Sequence, residues 1–301
     1  MHRGILCGLL ASALLPLACP AEESASKIGI DFALTAAGQP WTCSAPPAPL
    51  GRGQAPSRLR DARFYVHDIR LIRHDGASVA LRLAQNEWQY LDVALIDLED
   101  GQGGCVGNRG QHARVTGEVP AGDYRGLQFT VGVPVSSTTA DGRVVPLNHS
   151  NTEQIAAPLD IQAMAWNWQA GRKFMKVELL PEGGVVRAED TVKVWTVHLG
   201  STGCVGNPAN GEIVACSSPN RIVVRFDDFD PARQRVLFDL SALFEGSDVG
   251  RDQGGAAGCM SSPQDPECPA IFRQLGLPLA VDGAPVAAPT PATTSVFRVG
   301  S

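Results

Sequence analysis

"ARFYVHDIRLIRHDGASVALRL", residues 62–83, is the stretch whose alternation decides the fold class. Side chains along an extended chain alternate between two faces, which puts Tyr65, His67, Ile69 and Leu71 on one side. Asp75-Gly76 then supplies a hairpin turn, and Val79, Leu81 and Leu83 alternate on the return. The same pattern recurs along the chain that follows. It runs through "WQYLDVALIDLED" (88–100), "YRGLQFTVGVPV" (124–135), "RKFMKVELL" (172–180), "TVKVWTVHLG" (191–200), "NRIVVRFDDF" (220–229) and "QRVLFDLSAL" (234–243). "AMAWNW" (163–168) reads as a further strand, with Met164, Trp166 and Trp168 in one row. Helical periodicity is confined to "ECPAIFRQLGL" (267–277). Short alternating runs separated by Gly, Pro and Asp-Gly predict an all-β chain: a single sandwich or barrel-like domain over residues 26–300, with one short C-terminal helix. The Pro/Ala/Thr-rich stretch 279–295 reads as a linker or loose loop.

With 301 residues, 44% of them hydrophobic, the chain can bury a large core. Its formal net charge is −6 and it has no basic run, which argues against nucleic acid as a partner. The first 21 residues have the form of a signal peptide: Arg3, an apolar stretch too short to span a bilayer, then small residues. Cleavage after Ala21 fits this end, and so does lipidation at Cys19, although Pro16 stands where a lipobox wants an aliphatic residue. Either makes the chain periplasmic or otherwise exported, the second as an outer-membrane lipoprotein. No later segment is long and apolar enough for a transmembrane helix.

Beyond Cys7 and Cys19 in the signal segment there remain Cys43, Cys105, Cys204, Cys216, Cys259 and Cys268. An even number in an exported chain points to disulfides that staple the long loops. Proximity pairs Cys204 with Cys216 and Cys259 with Cys268, leaving Cys43 with Cys105. Six cysteines allow other connectivities, and these stay open. No C-x-x-C or C-x-x-C-H occurs, which disfavours a thiolate zinc site and covalent haem.

Serine-hydrolase, phosphate-loop, dinucleotide and H-E-x-x-H motifs are all missing. The carboxylates of "IDLED" and "FDDFD" read as solvated strand edges or loops. Of the histidines, His67 reads as core, His74 as exposed beside its turn, and His112, His149 and His198 as structural unless the fold assembles them. Imidazole is the commonest transition-metal ligand, and copper accepts it. The lack of a blue-copper Cys/His spacing argues against a copper oxidase. Taken alone, the tryptophan row is a packed core or a sugar-stacking platform, and the second option makes the chain a secreted carbohydrate-binding sandwich.

Read in order, the segments resemble one family. They are "RFYVHDIRLI", "VALIDLEDGQGGC", "YRGLQFTVGVP", "LNHSN", "APLDIQAMAWNWQAGRKFMKVEL", "VHLGSTGC" with "CSSPNR", and "GCMSSPQDPECPAIFRQLGL". Together they are similar to the MbnP-type periplasmic copper-binding proteins, the metallo-mystery-pair family with a four-cysteine motif. The resemblance implies copper as the cofactor and a dihaem, cytochrome-c-peroxidase-like or MauG-like partner. That partner oxidises a tryptophan of the W-x-W motif to kynurenine, here Trp166 or alternatively Trp168, with Trp166 preferred. It makes His149 and His198 the leading copper ligands and the chain a substrate of its partner rather than a catalyst. Family members commonly carry Asp two residues after the "LNH" histidine, where this chain has Asn151.

Overall fold

The strand read over residues 62–72 is the middle of the longest strand among the described residues, Ala55–Arg73. The computed structural model describes residues 24–166, 171–210, 212, 214–279 and 294–301. The expected signal segment with Cys19, Trp168 and most of the 279–295 linker lie outside the described residues. In chain order the frame is β1 (Ala25–Ala36), β2 (Ala55–Arg73), β3 (Val93–Asp97), β4 (Arg114–Pro120), β5 (Tyr124–Val131) and β6 (Met175–Pro181). It continues with β7 (Trp195–Leu199), β8 (Thr202–Val205), β9 (Ala215–Ser218), β10 (Ile222–Phe226), β11 (Arg235–Asp239) and β12 (Phe297–Gly300). Two short helices, α1 (Leu240–Phe244) and α2 (Cys268–Gln274), complete it.

Apart from β8 and β9, which pair as a separate hairpin, these strands form two sheets, one in the order β12-β11-β1-β4 and the other β10-β5-β2-β6-β7 with β3 beside β2. The core lies between them. Phe32 of β1 meets Phe64 of β2 and Phe129 of β5 edge-on, with ring centroids 5.8 and 5.7 Å apart, and Phe64 meets Phe238 of β11 at 5.1 Å. The result is the expected all-β sandwich, with no closed barrel among the described residues. Its disulfides are Cys43–Cys105, Cys204–Cys216 and Cys259–Cys268, the pairs suggested by proximity. Where one helix was expected there are two. Asp239 ends β11 and its carboxylate accepts from the backbone N–H of Ser241 and Ala242, which starts α1 inside the stretch read as strand.

The face assignment in β2 needs a correction. Gln128 pairs with Arg70 but Thr130 pairs with His67, so β2 carries one extra residue there. That bulge sits at Asp68, at φ +47°. A bulge shifts the phase of alternation. Phe64, Val66, Ile69 and Leu71 therefore share the inner core, while Tyr65 belongs to a second apolar cluster with Val93, Leu95, Val133, Leu147, Leu159, Met164 and Phe174.

That second cluster positions the site. At Tyr65 the neighbouring strand changes: its N–H donates to Phe174 O and its carbonyl accepts from Gly132 N–H, both at 2.9 Å. The sheet forks between β5 and β6, and the described residues 132–166 and 171–174 leave the fork to fold over the outer face. The Tyr65 hydroxyl donates to Pro158 O at 2.8 Å and pins this crossover. The expected strand over 163–168 is absent from its described part. Met164 ends a 3-10 turn (Gln162–Met164) and is fully buried, and Ala165 makes only an isolated bridge to Arg172. Burying Met164 in the second cluster turns the chain, so Met164 and Trp166 do not form the exposed strand row that a sugar platform requires. "IDLED" is also corrected: Asp97 and Glu99 are fully buried, whereas Asp227 and Asp228 are exposed as expected.

Candidate metal centre

His149 lies in the crossover, just after Leu147 has entered the second cluster. Its loop is tied down by Arg172, which is itself 1% exposed. Nη1 of Arg172 donates to the carbonyls of Asn148 and Ser150, the residues on either side of His149, at 2.9 Å each. Nη2 donates to Ser150 Oγ at 3.0 Å and Nε to Leu159 O at 2.9 Å. Asn148 completes the brace: its Oδ1 accepts from Arg172 N–H and its Nδ2 donates to Ser201 Oγ, both at 2.9 Å. Gly171 makes this approach possible, because it sits at φ +76° and a Cβ there would stand 2.7 Å from Asn148 Oδ1.

Trp166 reaches the same place from the other side. Its backbone N–H donates to Gly171 O at 2.9 Å. The six-membered ring of its indole lies over Gly200, where a Cβ would come within 2.4 Å of the ring. His149, Trp166, Arg172, Gln154 and Asn207 line one open cavity of about 880 Å³. The indole is half-buried and faces that space. Asn151 also lines it, and its Oδ1 accepts from Glu153 N–H at 2.9 Å, which makes a turn there.

His198 stands on β7, two residues before Gly200, on the outward side of a strand whose Trp195, Val197 and Leu199 enter the inner core. Its Nε2 is 2.9 Å from Glu178 Oε1 on β6. Glu178 also meets Lys176 at 2.9 Å and Arg60 at 3.1 Å, and Lys176 and Arg63 both pair with the fully buried Asp61. Burial works to raise the Glu178 carboxyl, but the His198 hydrogen bond and Lys176 outweigh it and hold it at about 2. Burial lowers the His198 imidazole, with Glu178 opposing only in part. A neutral imidazole beside a carboxylate donates through Nε2 and keeps its lone pair at Nδ1. That Nδ1 is buried and has no hydrogen-bond partner among the described residues.

The structure thus brings His149 and Trp166 to one cavity, which His198 does not line; His198 stands two residues before Gly200, the residue under the indole. His198 is not in the tight group around His149. That group is His149, Cys204 and Cys216, whose donor atoms lie within 4.8 Å of one another. Met260 is half-buried, its sulfur accepting from Thr196 Oγ1 at 3.7 Å. The remaining histidines lie elsewhere. His67 is buried, with burial and then Arg221 holding it down to about 3. His112 stacks on Trp88 with centroids 5.3 Å apart, and exposed His74 pairs with Asp123 at 3.1 Å. Sequence reasoning missed Asn148, Arg172, Gly200 and Glu178. Only Asn148, inside "LNH", carried a local signal.

The family model described as MbnP matches residues 25–261, most of the chain. This chain belongs to the MbnP family. A solved structure, MbnP from Methylosinus trichosporium, is 45% identical, superposes with a TM-score of 0.84, and is covered over 99% of its length by 92% of this chain. No curated protein matches. The MbnP family is associated with metals, and the histidine and cysteine groups described above can hold one. Among the described residues no helix is long and apolar enough to cross a membrane.

Proposed function

We propose that this MbnP-family chain is an exported, periplasmic copper-binding protein whose site is built from His149, His198 and an oxidised Trp166. The observation that carries the reading is that His149 and Trp166 line one cavity. The buried, unpartnered Nδ1 of His198 supports it as a second imidazole donor. An intact indole offers only an N–H donor. Oxidation of Trp166 to kynurenine, with the oxidising power supplied by a dihaem, MauG-like partner, exposes an aryl amine and a ketone with lone pairs. The open, half-buried position of the indole suits a reaction driven from outside the chain. The chain is then the partner's substrate and not itself an enzyme.

Each residue has a separate task. Arg172 and Asn148 fix the backbone on both sides of His149. Glu178 fixes the tautomer of His198, and Lys176 and Arg60 keep that carboxylate charged. Gly200 leaves room for the ring of Trp166. Copper, when bound, is a cation that imidazole and amine nitrogens ligate well.

Copper titration tests the ligand set. His149→Ala and His198→Ala are each expected to weaken copper binding at least about tenfold, and the double variant to abolish it. Stoichiometric binding by the double variant would overturn the assignment.

A further inference from the structure

The hairpin β8–β9 pairs Cys204 directly with Cys216 across the strands. Cys216 Sγ lies 3.9 Å from His149 Nε2. All three donor atoms fall within 4.8 Å of one another. Two donors on one metal ion stand roughly 3.5–4 Å apart, given bonds of ~2.0–2.3 Å. The imidazole is therefore already at ligand spacing from one sulfur. As a disulfide, however, these sulfurs are poor donors, because the thiolate is the metal ligand.

We propose that the Cys204–Cys216 disulfide is a reducible switch that creates a second, sulfur-rich metal site, with Cys204, Cys216 and His149 as ligands. The ion it takes is a soft one, Cu(I) or a thiophilic divalent cation. Reduction cleaves the S–S bond with two electrons and two protons, supplied by an external dithiol that is itself oxidised to a disulfide. Metal binding then displaces the two thiol protons. Two thiolates and one imidazole form a set that soft cations prefer over sites of nitrogen alone.

Accessibility singles out this bond. Cys204 and Cys216 are half-buried, and the neighbouring Val205 is 71% exposed. Cys43, Cys105, Cys259 and Cys268 are all buried. Thiol–disulfide exchange needs attack on a sulfur and hence access to it. Cys43 and Cys105 also have a third potential donor nearby, Asp100, but those sulfurs are enclosed and no imidazole joins them. The pairing Thr202↔Ser218 and Val205↔Ala215 holds the hairpin on both sides of the bond, so the backbone keeps the two cysteines opposed after reduction. Asn207 and Ala209, within the hairpin, line the His149 cavity, which gives an ion an approach. The proposal shares His149 with the copper site proposed above but needs neither His198 nor a modified Trp166, so the two readings fail separately.

The experiment treats the folded full-length chain with a phosphine reductant, maps free thiols by alkylation and mass spectrometry, and titrates Cd²⁺ without oxygen. Expected, beyond the signal-segment Cys7 and Cys19 where these are retained, are two thiols per chain, at Cys204 and Cys216, and one equivalent of Cd²⁺ with a thiolate-to-metal charge-transfer band. His149→Ala should keep both thiols and weaken Cd²⁺ binding at least about tenfold. Trp166→Phe should leave the band and affinity unchanged. Labelling at Cys43, Cys105, Cys259 or Cys268 instead, or no thiol in the folded chain, would overturn the proposal, and so would His149→Ala binding Cd²⁺ as tightly as the parent. Thiol mapping uses the unmutated chain, so its result stands even if a Cys204→Ser, Cys216→Ser variant fails to fold.

Discussion

At the residue scale the site rests on side chains that hold the proposed ligands in place. Arg172 donates to three carbonyls and a hydroxyl in a buried loop. Arg172→Met leaves those acceptors unsatisfied and is expected to cost about 2–4 kcal/mol in denaturant unfolding. Copper affinity should fall with it, because His149 loses its backbone anchors. Glu178→Gln removes the carboxylate that orients His198, and copper affinity should drop about 10–100-fold with the fold retained. The Glu178 carboxyl lies at about 2 in the folded chain, below the ordinary 4.5. Its contribution to stability is present above the unfolded value and is lost as pH falls from about 4.5 toward 2. Acid titration of the parent against Glu178→Gln should show the parent losing its advantage in that window. None of these partners was legible in the sequence. Arg172 and Glu178 sit at ordinary alternating positions, and only the fold makes them neighbours of His149 and His198.

At the scale of elements, period-two patterning found most of the frame strands, because each buries one face. It failed where a local event shifts the phase. The extra residue at Asp68 moves Tyr65 and His67 off the face of Ile69 and Leu71, and no turn signal marks it. The 3-10 turn at Gln162–Met164 was hidden by the apolar spacing of "AMAW". "IDLED" looked solvated because its carboxylates flank apolar residues, yet Asp97 is buried beside Arg63, and burial pushes its carboxyl up to about 7. Just after β7 the glycine under the indole has a checkable role. Gly200→Ala places a methyl group against the ring of Trp166 and the carbonyl of Arg172. It should slow oxidation of Trp166 by the partner, measured as the modified fraction over time, while leaving His198 paired with Glu178.

At the scale of the whole molecule, a two-sheet core and three disulfides hold an outer layer in which the cavity forms. The disulfide pairs were legible as soon as export was inferred, since two of them are close in sequence. The fork at Tyr65 was not, because it depends on two strands sharing a third. Loop length ranks the staples. Cys43–Cys105 closes a loop of 62 residues and Cys204–Cys216 one of 12. Loop entropy gives about 4 kcal/mol for the first and about 3 kcal/mol for the second. Denaturant midpoints of the two Cys→Ser double variants should fall in that order.

The most direct measurement is peptide mass spectrometry over residues 161–172, on protein from its native source and after co-expression with a dihaem partner. Expected is a net gain of one oxygen and loss of one carbon at Trp166, with copper retained by the modified protein and not by the unmodified one. An intact Trp166 under both conditions, in protein that nevertheless binds copper through His149, would contradict the maturation at the centre of this proposal.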